Sequence, residues 1–253
     1  MSVYTGFARM YDELMANIPY EKWGTYICDV LIKKLNGKES PLVVDLACGT
    51  GTMTLYLSKM GYDMIGVDLS ADMLAEAQQK AYEAEQNILF LSQDMRKLDL
   101  FGTVDAVICV CDGINYILEP KELGTVFERV RLFLNPGGVF IFDMNTEYKF
   151  KELLSNQSFE EKAKSGASYE WDNTYDEKTK INEYRVLFYD HPGQENIEEI
   201  NGFTEVHKQR AYDTNDVVKK LLSAGFSKVT VCHEYTEEPP KPDSLRLTYI
   251  AEV

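Results

Sequence analysis

Four acids stand at or just after the ends of short apolar runs: Asp68, Asp94, Asp112 and Asp143. Ahead of them Asp45 leads into Ala47-Cys48-Gly49-Thr50-Gly51, a turn bracketed by glycines. A carboxylate at a strand end accepts hydrogen bonds from ligand hydroxyls or amines, and a glycine lets a ligand reach the main chain with no Cβ in the way. At the carboxyl edge of a parallel sheet, such a turn is where open α/β folds bind nucleotides. A single Asp after a strand is usually a cap or turn residue. It is the repetition of acids on the rim that carries the glycine turn that points to a site.

Other chemistry-bearing residues are scattered. Cys28, Cys48, Cys109, Cys111 and Cys232 have no C-x-x-C spacing and read as reduced thiols, with Cys109 and Cys111 sharing one strand face as buried structural groups. His191, His207 and His233 lack metal-ligand spacing, so no metal is expected. A formal net charge of -15 argues against a general polyanion binder, which needs clustered Lys and Arg. With 253 residues, 45% of them hydrophobic, the chain suffices for one large α/β domain with an insertion. No basic-apolar leader and no apolar run of roughly 20 residues is visible. The expectation is a cytoplasmic monomer or homodimer without membrane contact.

The elements that must position these groups follow in order. From Tyr4 to Leu35 helical stripes are broken by Pro19, and Tyr4, Tyr11 and Tyr20 are candidates to reach over the glycine turn. Strands are predicted at Leu42 to Leu46, Met64 to Val67, Ile88 to Ser92, Val104 to Val110 and Val139 to Phe142, alternating with helices, one of them capped by Ser70 and another opened by Pro120. Successive β-then-α units imply a parallel sheet with helices on both faces. After Glu147, strand-like runs at Ser168 to Tyr175, Ile181 to Asp190 and Ile197 to Tyr212 predict an inserted three-stranded antiparallel sheet. Tyr169, Trp171, Asn173 and Tyr175 would share one face of it, packed on the core or closing over a substrate. Thr214 is read as the cap of a last helix, and a terminal strand pair adds one antiparallel strand to the main sheet. The predicted architecture is α/β, a Rossmann-like seven-stranded, mostly parallel sheet with an antiparallel β-sheet lid. Its divisions are a helical cover (1–40), the α/β core (41–146), the lid (147–212) and a completing helix and strand hairpin (213–253).

VVDLACGTG, then VDLS, then QDM, then VDAVICVCDGINYI resembles the motif series of class I S-adenosylmethionine-dependent methyltransferases, and the terminal strand pair fits the same family. The aromatic amino-terminal segment and inserted lid are similar to bacterial glycine and amino-sugar N-methyltransferases. The resemblance implies S-adenosylmethionine as cofactor and S-adenosylhomocysteine as product. It assigns Asp68 to the ribose hydroxyls, Asp94 to the adenine amine and the Met95 N–H to a ring nitrogen, with Leu69 and Met95 enclosing the base. Ala47 and Gly49 would hold the methionine part within the Gly49–Gly51 turn, Asp45 would orient that turn and the backbone near Val110 would close the site. Arg9, Tyr4 or Tyr11 would meet the methionyl carboxylate.

Methyl transfer from a sulfonium is an in-line displacement that needs positioning more than a nucleophile. Asp112, His207 and Tyr11 are candidates for catalytic roles. Asn115, Tyr116, Trp171, Tyr175, Arg185, His207 and Arg210 are candidates to meet a small-molecule acceptor. Alternatives are an RNA methyltransferase of the same fold, a non-catalytic cofactor-binding module, or a nicotinamide dehydrogenase, whose fingerprint lacks its third glycine here because Gly51 is followed by Thr52, Met53 and Thr54.

Overall fold

The computed structural model describes residues 8–162, 167–190 and 202–253. Near-continuous apolar runs form the parallel strands because both of their faces are covered. These strands are β1 (Leu42–Leu46), β2 (Asp63–Asp68), β3 (Leu89–Ser92), β4 (Val104–Cys109) and β5 (Leu134–Asn145). After an insertion, β10 (Lys228–His233) and β11 (Arg246–Glu252) complete a seven-stranded sheet of order β10-β11-β5-β4-β1-β2-β3. Only β11 runs antiparallel, paired to both β5 and β10. Alternate strand residues separate into two cores. Val44, Leu46, Phe140 and Phe142 pack with Phe127 and Val217, while Val43, Ile108 and Ile141 pack with Ile27, Met53 and Leu57. Helices α2 (Tyr20–Lys34) and α3 (Thr52–Lys59) therefore cover one face, and α5 (Pro120–Phe133) and α6 (Thr214–Ser223) the other. Helix α4 (Ala71–Glu83) follows β2, with the Ser70 hydroxyl accepting the Met73 N–H at 3.3 Å. No helix among the described residues is long and apolar enough to cross a membrane.

Three local expectations are corrected. Strand β5 is longer than Val139 to Phe142: Leu134 already pairs with Val104, Asn135-Pro136-Gly137-Gly138 bulges out before pairing resumes at Val139, and the strand runs on to Asn145. Its irregular register between β4 and β5 needs glycine, since a Cβ on Gly138 would lie 2.9 Å from the Asn135 and Asp105 carbonyls. The cap of α6 is Asp213, whose carboxylate accepts the Asn215 and Asp216 N–H groups, and not Thr214. Among the described residues the insertion forms four strands, not three: β6 (Ser158–Lys162), β7 (Ala167–Asp176), β8 (Ile181–Asp190) and β9 (Gly202–Arg210), in that order. Strand β6, SFEEK, lacks the apolar alternation that marks a half-buried strand, and it pairs with β7 alone. The His191-Pro192-Gly193 turn and the expected strand start at Ile197 lie outside the described residues.

Alternation in the other lid strands is clean. Asn173, Tyr175, Asn182, Val186, His207 and Gln209 are buried, whereas Asp172, Thr174, Arg185, Val206 and Lys208 are exposed. The buried face covers the segment after β4 and helix α1 (Ala8–Leu14), which packs between the lid and α4 in a cluster of Ala8, Tyr11, Met73, Trp171, Tyr184 and Val186.

One ionic group fastens these parts together. Arg246, at the start of β11, donates to Asp143 of β5 and to Asp112 just beyond β4, the latter at 2.7 Å. Tyr235 Oη donates to the other Asp143 oxygen at 2.6 Å, and the Asp112 N–H donates to Asp143 at 3.1 Å. The guanidinium lies 5.1 Å from the ring centre of Trp23, itself stacked on Tyr235. Removing one partner of such a buried set strands the other charges. Arg246→Met is therefore expected to lower the unfolding free energy by roughly 3–5 kcal/mol in urea titrations; a change within about 0.5 kcal/mol would show that the two acids do not need the cation.

Candidate active site

The carboxyl ends of β1, β2 and β4 open into a cavity of about 630 Å³. Its floor is the turn after β1. Ala47, Gly49 and Gly51 all adopt left-handed backbone conformations, which favour glycine at the latter two. A Cβ on Gly49 would meet nothing within 4 Å, so the bare main chain there faces open space. Gly51 serves packing instead: a Cβ there would sit 3.0 Å from Ala77 Cβ, and it does not line the cavity. Gly113 permits another close approach: a Cβ there would lie 2.8 Å from Cys109 Sγ and 3.0 Å from Ala47 Cβ, and its absence lets the segment after β4 sit against the turn.

Asp68 lies at one wall, with its carboxylate accepting the Gly49 and Ser70 N–H groups, each at 2.8 Å. Burial raises its pKa, and these backbone donors partly oppose the shift. Leu69, beside it, leaves 65% of its surface exposed, an apolar face over the cavity with no protein partner for most of its area. Asp94 and Met95 line the same end. Asp94 is clamped by Arg96, whose Nε lies 2.9 Å and Nη2 2.6 Å from carboxylate oxygens, and this pairing holds the acid below the usual carboxylate range. Arg96 also reaches Glu122 at 3.0 Å. The sequence reading missed this guanidinium, although its position two residues after Asp94 was the available signal.

Asp45 does not reach the cavity wall. It is fully buried behind the turn, where Thr54 Oγ1 donates to it at 2.6 Å, and burial pushes its pKa up to about 7. Thr54 is a second residue the sequence reading overlooked. Val110 lines the cavity, as do Tyr11 and Tyr20 from the amino-terminal helices. Tyr4 lies outside the described residues, as does the side chain of Arg9. Helix α1 is tied to the turn by Asp12, which accepts from Thr50 Oγ1 and Lys80 Nζ, each at 2.6 Å.

The other end is aromatic. Tyr116 lines it along with Cys111, whose Sγ lies 3.5 Å from Tyr20 Oη. Cys111 was expected to share a strand face with Cys109. Strand β4 ends at Cys109, however, and the left-handed backbone at Cys111 turns its side chain into the cavity. His207 is 1% exposed and stacks on Tyr184 with ring centres 4.8 Å apart, its Nδ1 3.3 Å from Tyr116 Oη.

Several sequence candidates stand elsewhere. Asp112 is absent from the cavity wall and is engaged by Arg246 and by Gln209 Nε2, which leaves it poorly placed as a base. Asn115 is fully buried and structural: it donates to the Asn145 and Arg210 carbonyls and accepts the Asn145 N–H, joining the segment after β4 to β5 and β9. Arg210 donates to the Leu118 carbonyl at 3.0 Å. Tyr175 packs on Phe150 at the base of the lid. Arg185 is exposed on the lid's outer side, because its neighbours Tyr184 and Val186 take the inner one. Trp171 sits behind the wall, 5.4 Å from Tyr184 between ring centres.

The raised carboxyl of Asp45 has a stability consequence. The fold keeps a proton that the unfolded chain, near the ordinary value of 3.8, releases, so this group's cost is absent below that pH and grows as pH rises through about 7. Asp45→Asn is expected to gain stability relative to the parent between pH 5 and pH 8, by on the order of 5 °C in thermal melts; a gap that is constant with pH would show that Asp45 is ionised throughout.

Comparison with known proteins is consistent with this geometry. A methyltransferase-domain family profile matches residues 43–138, from β1 into β5. YqeM of Bacillus subtilis (strain 168), a provisionally named methyltransferase, is 33% identical over 99% of this chain and 97% of its own length. A dTDP-3-amino-3,4,6-trideoxy-alpha-D-glucopyranose N,N-dimethyltransferase of Streptomyces venezuelae is 31% identical, over 42% of this chain and 43% of its own. The crystal structure of a S-adenosylmethionine-dependent methyltransferase from Clostridium acetobutylicum ATCC 824 superposes with a TM-score of 0.86 at 29% identity, covering 99% of this chain and 98% of that one. With relatives spanning the whole chain and the glycine turn, acid rim and lid in place, the protein belongs to the S-adenosylmethionine-dependent methyltransferases.

Proposed function

We propose that the chain methylates an amine of a small molecule, with the cofactor at the acidic end of the cavity and the acceptor at the tyrosine-lined end. The single observation that carries this reading is the cavity's division: Asp68, Leu69, Asp94 and Met95 at one end, Tyr11, Tyr20, Cys111 and Tyr116 at the other, with the bare Gly49 turn also in its wall. A volume of about 630 Å³ falls within the roughly 300–1,000 Å³ of small-ligand sites. The amino-sugar relative supports an amine acceptor. The net charge of -15 supports a small molecule over RNA.

The residues fit the cofactor. Asp68 spends one lone pair of each oxygen on a backbone N–H and keeps others for ribose hydroxyls. Leu69 offers an apolar face to adenine, and Asp94, held by Arg96, an acceptor for its amine. Main chain at Ala47 and Gly49 would hold the methionine part, with Tyr11 near its carboxylate and Val110 closing the wall. When bound, S-adenosylmethionine supplies a methyl carbon on an already activated sulfonium, so the protein needs no nucleophile of its own. The task left to the chain is to align the acceptor, exclude water and take a proton. Helix α1 reaches the site through Tyr11, with the lid packed against that helix, and the five free cysteines support a reducing, cytoplasmic setting.

In calorimetry the chain should bind S-adenosylhomocysteine and not NAD, with Asp68→Ala weakening binding at least tenfold, about 1.4 kcal/mol; unaltered binding by this variant would displace Asp68 from the ribose. A screen with labelled methyl donor, using glycine, sarcosine, amino-sugar nucleotides and bulk tRNA as acceptors, should label an amine. Labelling of tRNA alone would overturn the small-molecule reading, and cofactor binding without transfer to anything would favour a non-catalytic module.

A further inference from the structure

Beyond the cavity wall, three titratable side chains from two elements stand in line. Tyr116, in the helical turn after β4, lines the cavity, and its Oη lies 3.3 Å from His207 Nδ1 on β9. The opposite imidazole nitrogen, Nε2, lies 3.3 Å from Glu205 Oε2, an ion-pair separation with imperfect hydrogen-bond alignment. The His207 side chain is 1% exposed and that of Glu205 10%, so both are largely withdrawn from solvent. Tyr184 of β8 completes the surroundings, with its hydroxyl bonded to Tyr116 Oη and its ring stacked on the imidazole. Asp112 and Tyr11 are the further ionisable groups that act on Tyr184 from the core side.

Resting on the methyl-transfer reading, we propose that Tyr116, His207 and Glu205 form a proton relay that accepts the proton of the acceptor amine. Glu205 favours hydrogen on Nε2, which leaves the Nδ1 lone pair directed at the Tyr116 hydroxyl. With the Tyr116 proton directed at Nδ1, the hydroxyl–hydroxyl bond takes its hydrogen from Tyr184, and either oxygen of that pair can be the donor. As the acceptor nitrogen forms its bond to the methyl carbon, the carbon–sulfur bond breaks and its electron pair remains on sulfur. One nitrogen-bound proton then passes to Tyr116 Oη while the proton already there passes to His207 Nδ1. The outcome is a neutral methylated amine, a neutral tyrosine and an imidazolium facing Glu205. Tyr116 is the catalytic residue, His207 the terminal proton acceptor acting through it, and Glu205 a positioning residue.

Two measurements test the relay. In the full chain with labelled imidazole nitrogens and saturating S-adenosylhomocysteine, His207, assigned by its loss in His207→Gln, should be the Nε2–H tautomer at pH 8. Finding hydrogen on Nδ1 would overturn the relay, and this spectrum can also be recorded on the free protein should the cofactor not bind. With the fastest amine among glycine, sarcosine and the amino-sugar nucleotides, Tyr116→Phe and His207→Gln should lower kcat roughly a hundredfold while S-adenosylhomocysteine affinity stays within about twofold. Glu205→Gln should move the acid limb of the kcat/KM profile to lower pH, because the imidazolium loses its counter-charge. An unmoved limb with normal turnover would overturn the proposal. Failure of every acceptor, with the Nε2–H tautomer present, would count against the methyl-transfer reading instead.

Discussion

Asp112, three residues beyond β4, and Asp143, near the carboxyl end of β5, belong to adjacent parallel strands, and parallel topology brings both carboxylates to one corner of the sheet, Asp143 fully buried there. Two acids in such a corner repel each other unless a cation stands between them. The antiparallel strand β11 brings Arg246 to that place from the far end of the chain, and its guanidinium bonds to both acids and lies over Trp23 of α2. Core strands, carboxyl-terminal hairpin and amino-terminal helix therefore meet at one charge cluster. Lys149, just beyond β5, is drawn into the same corner, where burial and then Arg246 push its pKa down, and it donates to Asn145 Oδ1.

That corner also fixes the cavity. The Asp112 backbone is left-handed and held to Asp143, and the helical turn that follows presents Tyr116 to the cavity while burying Asn115. Gln209 of β9 donates to the second Asp112 oxygen, and Asn115 donates to the Arg210 carbonyl, so the lid is anchored to the same turn. On the opposite side, Lys80 and Asp12 tie α1 to the glycine turn. The cavity thus has polar fastenings on both flanks and an apolar cluster beneath the lid, where Tyr11, Trp171, Tyr184 and Met73 meet.

Charge is distributed unevenly across the site. Asp68 and Asp94 are satisfied by backbone donors or by Arg96, yet both retain acceptor capacity toward the cavity end they line. At the aromatic end, burial raises the pKa of Tyr11, Tyr20 and Tyr184, which therefore remain neutral hydroxyls capable of both donating and accepting. Carboxylate acceptors at one end and neutral hydroxyls at the other suit the proposed transfer, in which the methyl group carries the sulfonium's positive charge to the acceptor.

The sequence by itself determined the sheet, the rim and the glycine turn. Each parallel strand is a short apolar run with an acid near its end, and burial on both faces leaves that pattern little freedom. Local order put Asp68 and Asp94 at strand ends on the rim, while the family resemblance singled out Leu69 and Met95; all four line one cavity. Strand β6 escaped notice because SFEEK has no apolar face and exists through its pairing with β7. Only the tertiary structure decided which polar residues remain available for chemistry. Asp112, Asn115, Arg185 and Arg210 look as suitable in the chain as Tyr116 and His207. Two are bound into the corner that Arg246 organises, one points outward from β8 and one serves the Leu118 carbonyl. Availability depends on partners brought from distant segments, Arg246 and Glu205 among them, and no local spacing in the chain encodes those encounters.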